Sequence, residues 1–544
     1  MASLAAFDKY YLVNLAAGLV LMAVLAGLAL TRPGRAAAST LLAMAARPWA
    51  AGLAAMAAVA AAVLVQAATL PVIGGDTATY FVGAASFAAG RGFEAVPWIR
   101  SPGSAMLFGP VFLLFGDATT AMQVIYGAAA AGTAILVHPL SRRLGLGPAA
   151  AAAGVLVTAT SLSFMGRSAV LMSETPIAFL ALASLVLLLR WNAEHRPADL
   201  YGLAVVFSWL VLLRPENEVL ALAGAGVIVF GMWRSGWRRH LVHASLALAV
   251  FALPVAVGSH HRYQAYGVWG LQSGNGLVPF SGIITFGRSH GHAFGRADGP
   301  MLADIVDTVY ASGRLPAQSP DAVLDSGANI VRDIYWQEKG ITEEETDDRF
   351  ARAAFEVFRA RPAEVGRLLL QKAYIHVFRD VKVHAFTSVL PGEALAEPPA
   401  TFNRYTNGRF LAVDALSILD DPPVVWFDHI RTGHSPHAWA IHAVRAWHRA
   451  SQKWMAASGL FWNHLILAGI VLVGWRGLRQ WPFALLALYL ALKVAAPIAM
   501  GLGDQRYYLP GYPLMVPALF VALQAWWRWS QARVSGGDTR AAPG

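Results

Sequence analysis

The sequence predicts an α-helical polytopic membrane protein of about eleven transmembrane helices, with one extracytoplasmic domain of mixed character. Three observations predict it. Of the 544 residues, 56% are hydrophobic and 14% charged, against about 25% charged in an ordinary soluble chain. Apolar runs recur near the roughly 20 residues that a helix needs to cross a bilayer. Arginines gather at the ends of those runs and mostly on one set of connections, the asymmetry that orients membrane proteins.

In order, the runs place spanning helices at 11–30, 49–70, 119–138, 148–165, 175–190, 200–213, 216–233, 241–258, 459–474, 481–500 and 508–527. The first is too long for a signal-peptide core and reads as a retained helix. Arg214-Pro215 interrupts the sixth and seventh runs, which read either as one broken helix or as two spans; the charge pattern favours two. Between 71 and 118 the loop is too long for a turn. Its portion 104–115 is apolar but too short to span, and reads as an interfacial or re-entrant helix. Residues 259–456 hold most of the acidic residues and no spanning run, although 342–370 reads as an amphipathic helix pair around Arg361-Pro362. The expected organisation is a transmembrane module 1–258 carrying the external loop 71–118, a domain 259–456, C-terminal helices 457–530 and a cytoplasmic tail 531–544.

The arginine-rich connections include Arg32, Arg47, Arg142, Arg143, Arg234, Arg238 and Arg476; the opposite short loops hold Arg91, Arg100, Arg167, Arg214 and Arg506. The first set is then cytoplasmic. A bacterial-type inner (plasma) membrane is the expected location. The formal charge of +10 comes with no basic block or stacking motif, so a nucleic-acid partner is not expected. The absence of cysteine excludes disulfides, zinc–thiolate sites and cysteine nucleophiles. Histidines are plentiful, His260-His261 among them, and His290-Gly291-His292 offers ligand spacing without a metal signature. No cofactor is demanded, and a divalent metal is compatible with the chain.

Four polar clusters fall at ends of apolar runs, all on the extracytoplasmic side of this topology: Gly74-Gly75-Asp76-Thr77, Ser173-Glu174-Thr175-Pro176, Arg214-Pro215-Glu216-Asn217 and Asp504-Gln505-Arg506-Tyr507. Charge at membrane depth is costly and tends to be functional. Each cluster also has an ordinary explanation. Asp76 suits a turn, or a general base. Ser173 or Thr175 suits a helix cap and Glu174 the helix dipole, or Glu174 is a second acid. Arg214 suits an internal ion pair, or a phosphate contact. Arg506 and Tyr507 suit an interfacial belt, or the same phosphate. Arg100-Ser101-Pro102-Gly103 reads as a turn, with Arg100 open as an anion contact.

Taken in order, these motifs resemble the C-type (GT-C) glycosyltransferase superfamily, in the branch holding protein O-mannosyltransferases and the lipid A aminoarabinose transferase. The matching elements are Asp76, Tyr80 and Gly90-Arg91-Gly92; Arg100 to Gly103; Phe115-Gly116; Ser173 to Pro176; Arg214-Pro215-Glu216; and Arg506, Tyr507 and Pro510. They cover about residues 49–258 and 481–527. The resemblance implies a polyprenyl-phosphate-linked sugar donor, an extracytoplasmic glycan, lipid or protein acceptor, and inverting transfer. Asp76 and Glu174 are then the catalytic acids. Arg214, Arg506, Arg100 and Tyr507 are donor-phosphate contacts, and Tyr80 and Glu216 position the acceptor. Many relatives carry an Asp-Glu pair where Asp76 is followed by Thr77, which leaves a metal or second acid open. A secondary transporter, or a polymerase or ligase using a lipid-diphosphate glycan, are the alternative readings.

Overall fold

A computed structural model of the chain describes residues 31–68, 101–115, 118–169, 172–267, 269–271, 276–374, 438–496 and 511–538, with isolated positions such as Tyr80 before and between them. The chain divides into two compact units, one of Met1–Leu271, Val381–Ala491 and Leu509–Gly544, the other of Gln272–Asp380 and Leu492–Tyr508.

The first unit is a helical assembly. It contains α1 (Arg32–Ala45), α2 (Pro48–Ala68), α3 (Gly103–Phe115), α4 (Ala118–Arg143), α5 (Pro148–Thr160), α6 (Glu174–Glu194), α7 (Pro197–Leu213), α8 (Glu218–Ser235) and α9 (Trp237–Tyr266). Proline at the first helical position starts α5 and α7, where a missing N–H costs nothing. Gly267, at φ 73°, ends α9. Five helical stretches among the described residues are long and apolar enough to cross a membrane: Pro48–Ala68, Ala121–Arg143, Glu174–Glu194, Pro215–Ser235 and His240–Gln264. Pro148–Thr160 and Pro197–Leu213 are apolar but shorter. With the apolar composition, these make the chain a multi-pass membrane protein. Outward faces remain apolar, as at Leu222, Val229, Leu248 and Leu253, where hydrocarbon rather than water is the solvent.

Small residues let the helices close up. Ala54 and Ala58 of α2, Ala134 of α4, and Ala152, Val155 and Ala159 of α5 form one buried cluster. α4 also packs on α6, α6 on α7, and α7 on α9. The 40-residue helix α14 (Ala438–Gly477) packs on α15 (Trp481–Leu490), α16 (Tyr512–Asp538) and α2.

The second unit is also helical: α10 (Pro300–Ala311), α11 (Ala328–Lys339), α12 (Glu343–Ala360) and α13 (Pro362–Tyr374) surround a core of Phe280, Ile284, Phe294, Ile305, Val331, Tyr335, Phe350 and Leu368. Thr342 caps α12 through the Glu345 amide. Lys372 is fully buried, its ammonium 4.8 Å from the centre of the Phe286 ring, and burial lowers its pKa to about 8.

Several expectations change. The mixed character expected of the extracytoplasmic domain does not hold among the described residues, which contain no strand; the amphipathic α10–α13 supply a core without one. The run 148–165 is split at Ser161, whose extended backbone (ψ 99°) ends α5. Arg214, at φ −151° and ψ 112°, separates α7 from α8, so that interruption is a break between two helices. α1 was not anticipated, because its amphipathic pattern lacks a long apolar run. The run 459–474 belongs to a helix that begins at Ala438. The run 11–30 lies outside the described residues apart from helical Val20 and Val24.

Candidate functional site

The site is built where α6 begins and α7 ends. Ser173 precedes α6 and makes no side-chain cap. Its hydroxyl instead accepts a hydrogen bond from Arg214 Nε at 2.8 Å. Arg214 Nη2 donates to Glu174 Oε1 at 2.7 Å, and Nη1 reaches Glu216 Oε1 at 3.4 Å. The pair is enclosed: the side chains of Glu174 and Arg214 are 1% and 13% exposed, whereas Glu216 is 56% exposed. Glu174 thus sits at a helix N-terminus, where a carboxylate is favoured, with one oxygen anchored and Oε2 buried without a hydrogen-bond partner among the described residues. Buried polar atoms are usually paired, so such an orphan oxygen is informative.

Arg214 is aimed by its own backbone. Its N–H donates to the Leu210 carbonyl at 3.1 Å. Its carbonyl accepts from the Asn217 amide nitrogen Nδ2 at 2.9 Å, and that Nδ2 also donates to Leu210 at 2.9 Å. Asn217 is completely buried. Sequence reasoning placed Asn217 in the cluster and gave it no role; its position three residues after an arginine that leaves a helix was the available signal.

The turn at 101–103 meets the same segment. Ser101 Oγ donates to the Leu212 carbonyl, and a Cβ on Gly103 would collide with that carbonyl. This is why Ser-Pro-Gly is needed there: α3 starts against the backbone two residues before Arg214. Tyr126 of α4 is fully buried within electrostatic reach of Tyr80 and Glu174. It stacks on Phe108 of α3 at 5.6 Å. Tyr80 is 7% exposed and packs with Ala130, Phe164 and Met172.

The structure therefore brings two of the sequence clusters together, Ser173-Glu174 and Arg214-Glu216, across 40 residues of chain. Asp76, Arg100, Asp504, Arg506 and Tyr507 lie outside the described residues. The internal ion pair open to Arg214 in the sequence is made with Glu174, 40 residues away.

Among the described residues no group of three or more His, Asp or Glu side chains is placed to hold a metal ion. His290 Nδ1 lies 2.9 Å from the Phe286 carbonyl, while His292 sits between Glu364 and Gln371 at 3.3 and 3.0 Å. The two rings are committed to different protein partners rather than to one shared point.

No protein-family model matches the chain, and no curated protein does. Among solved structures it is similar to the archaeal oligosaccharyltransferase AglB from Archaeoglobus fulgidus in complex with an inhibitory peptide and a dolichol-phosphate. That match has 13% identity and a TM-score of 0.36, over 91% of this chain and 52% of that one. The A. fulgidus oligosaccharyltransferase with Zn and sulfate matches at 11% identity and a TM-score of 0.37, over 90% and 51%. Its apo form matches at 14% and 0.36, over 91% and 52%. The chain spans about half the length of these proteins, and likeness of this depth assigns neither a family nor a reaction.

Proposed function

We propose that the chain is a membrane glycosyltransferase of GT-C type, moving a sugar from a polyprenyl-phosphate-linked donor to a hydroxyl of a glycan, lipid or protein on the extracytoplasmic face. The observation that carries this reading is Glu174: an enclosed carboxylate with one oxygen held by Arg214 and the other without a hydrogen-bond partner among the described residues. It lies at the helix end that the arginine asymmetry assigns to the outside. A carboxylate kept dry and oriented in this way suits the acceptance of a hydroxyl proton or hydrogen bond. The order of the sequence motifs around it supports the same reading.

Transfer needs a base for the acceptor and cations for the leaving phosphate. Asp76, in the loop that leads to Tyr80, is the base. It takes the acceptor proton as the acceptor oxygen bonds to the anomeric carbon. The bond from that carbon to the phosphate oxygen breaks, its electron pair leaves with the polyprenyl phosphate, and the centre inverts. Glu174 positions a reacting hydroxyl from the other side, with Tyr80 and Glu216 at the acceptor. In this reading Arg506 and Arg100, with Tyr507, contact the departing phosphate.

The test is transfer of labelled sugar from polyprenyl-monophosphate donors by the purified full chain in nanodiscs. Activity that is lost in Asp76→Asn and in Glu174→Gln supports the reading. A folded wild type that transfers only from a lipid-diphosphate glycan would move the chain to the polymerase or ligase class.

A further inference from the structure

We propose that Arg167, and not Arg214, is the arginine that takes the donor phosphate, an inference that rests on the function proposed above. The two arginines differ in what the fold already asks of them. Arg214 spends Nε on Ser173, Nη2 on Glu174 and Nη1 on Glu216. Its charge is balanced by an enclosed carboxylate, and its fork is full. It holds the acid in place.

Arg167 is placed differently. It lies in the single helical turn Gly166–Ala169, between the short helix Leu162–Met165 and the start of α6. That turn packs on α2, α4 and α6, at the end of the unit where Glu174 and Arg214 meet. The side chain is half-buried. Its Nε is shielded from solvent and has no hydrogen-bond partner among the described residues. That one buried N–H carries an unrelieved desolvation cost, which an anion accepting from it would remove. The planar guanidinium fork matches phosphate oxygens.

The next residue supplies a second half to the site. Ser168 Oγ accepts from Gln66 Nε2 of α2 at 2.8 Å and donates to the Met165 carbonyl at 2.6 Å. This fixes the Gln66 amide, yet its Oε1 is buried and also without a hydrogen-bond partner among the described residues. A donor and an acceptor that have no partner among the described residues therefore flank one serine. Together they fit a phosphate ester that carries a hydroxylated sugar: the guanidinium for the phosphate, the amide oxygen for a sugar hydroxyl. Glu174, whose Oε2 likewise has no hydrogen-bond partner among the described residues, follows seven residues after Arg167 along the chain.

The experiment uses the full chain in nanodiscs and measures binding of farnesyl phosphate, farnesol and inorganic phosphate, with thermal stability recorded in parallel. The expected result is that farnesyl phosphate binds well above the other two. Arg167→Ala should weaken it about 10- to 100-fold, the worth of a charge-assisted contact, with melting not lowered. Arg167→Lys should retain part of the affinity. Arg214→Ala should instead lower melting. Unchanged farnesyl phosphate binding in Arg167→Ala overturns the inference and leaves the donor class standing. Wild-type protein that binds farnesyl phosphate no better than farnesol overturns both. Inorganic phosphate binding as tightly as farnesyl phosphate, and equally lost in Arg167→Ala, keeps the anion site but assigns its source to free phosphate, against a lipid donor. If Arg167→Ala melts lower than wild type, then Arg167→Lys decides, because full affinity with the fork removed also refutes the assignment.

Discussion

Arg214→Ala should destabilise the first unit by about 3–5 kcal/mol, the cost of breaking one partner out of a buried ion pair. The magnitude follows from what is left behind. Glu174 is 1% exposed and loses its 2.7 Å partner, while its other oxygen already has none among the described residues. The carboxylate would be buried with nothing to balance it. The Ser173 hydroxyl loses its 2.8 Å donor as well. The contact to Glu216 adds little, because that side chain is 56% exposed and the separation is 3.4 Å, and exposed pairs are worth at most about 1 kcal/mol. Removing both charges should cost less than removing one, since an apolar pair leaves no stranded ion. The expected order of stability is therefore wild type close to Glu216→Ala, then the double variant Glu174→Met with Arg214→Met, then Arg214→Ala. Thermal denaturation of the full chain in one detergent, with the four proteins compared side by side, checks the order and the coupling. Arg214→Ala within about 1 kcal/mol of wild type, or a double variant worse than the single, would refute the view of Arg214 as the anchor of Glu174.

Other perturbations test neighbouring links. Asp76→Asn should lower transfer about 10²–10⁴-fold, as loss of a general base does, with melting unchanged; near-normal turnover removes Asp76 from the mechanism. A cysteine introduced at Asp325 should react with an impermeant reagent added to spheroplasts, and one at Arg238 should not, since the chain has no cysteine of its own; the reverse pattern inverts the topology. Gly103→Val should push the start of α3 off the Leu212 carbonyl and break the Ser101 bond, costing activity through displacement of Arg214, whereas Gly90→Ala, whose Cβ meets nothing, carries only the strain of its positive φ. The pH dependence of the second unit should carry Lys372. Its native pKa of about 8 lies below the ordinary 10.5, so between those values the unfolded chain holds a proton that the native one sheds. Stability should rise with pH through that window, by up to about 3 kcal/mol, and Lys372→Met should lack the rise.

The sequence by itself determined the solvent of this protein. Length and apolarity of the runs are enough for that, because hydrocarbon tolerates only helices whose backbone groups are satisfied within the segment. The starts of α2, α5 and α6, and the α12–α13 pair around Arg361-Pro362, were equally legible, since proline and apolar periodicity act locally. The helical character of the second unit's described residues was not legible, and α1 was missed, because amphipathic helices of modest length leave no long run and are decided by what they pack on. At the site, sequence reasoning found Glu174 and Arg214 and weighed for each an ordinary local duty, a first-turn acid beside a capping serine and an arginine in an internal ion pair, against a catalytic acid and a donor-phosphate contact. Tertiary structure decided the partners. A serine hydroxyl and a carboxylate at the start of α6 are 40 residues from the guanidinium that holds them. Nothing in a local pattern says which of several arginines at one helix end will find a partner. That choice depends on how α6 and α7 pack, and it is why Arg214 is occupied while Arg167 has an Nε without one among the described residues.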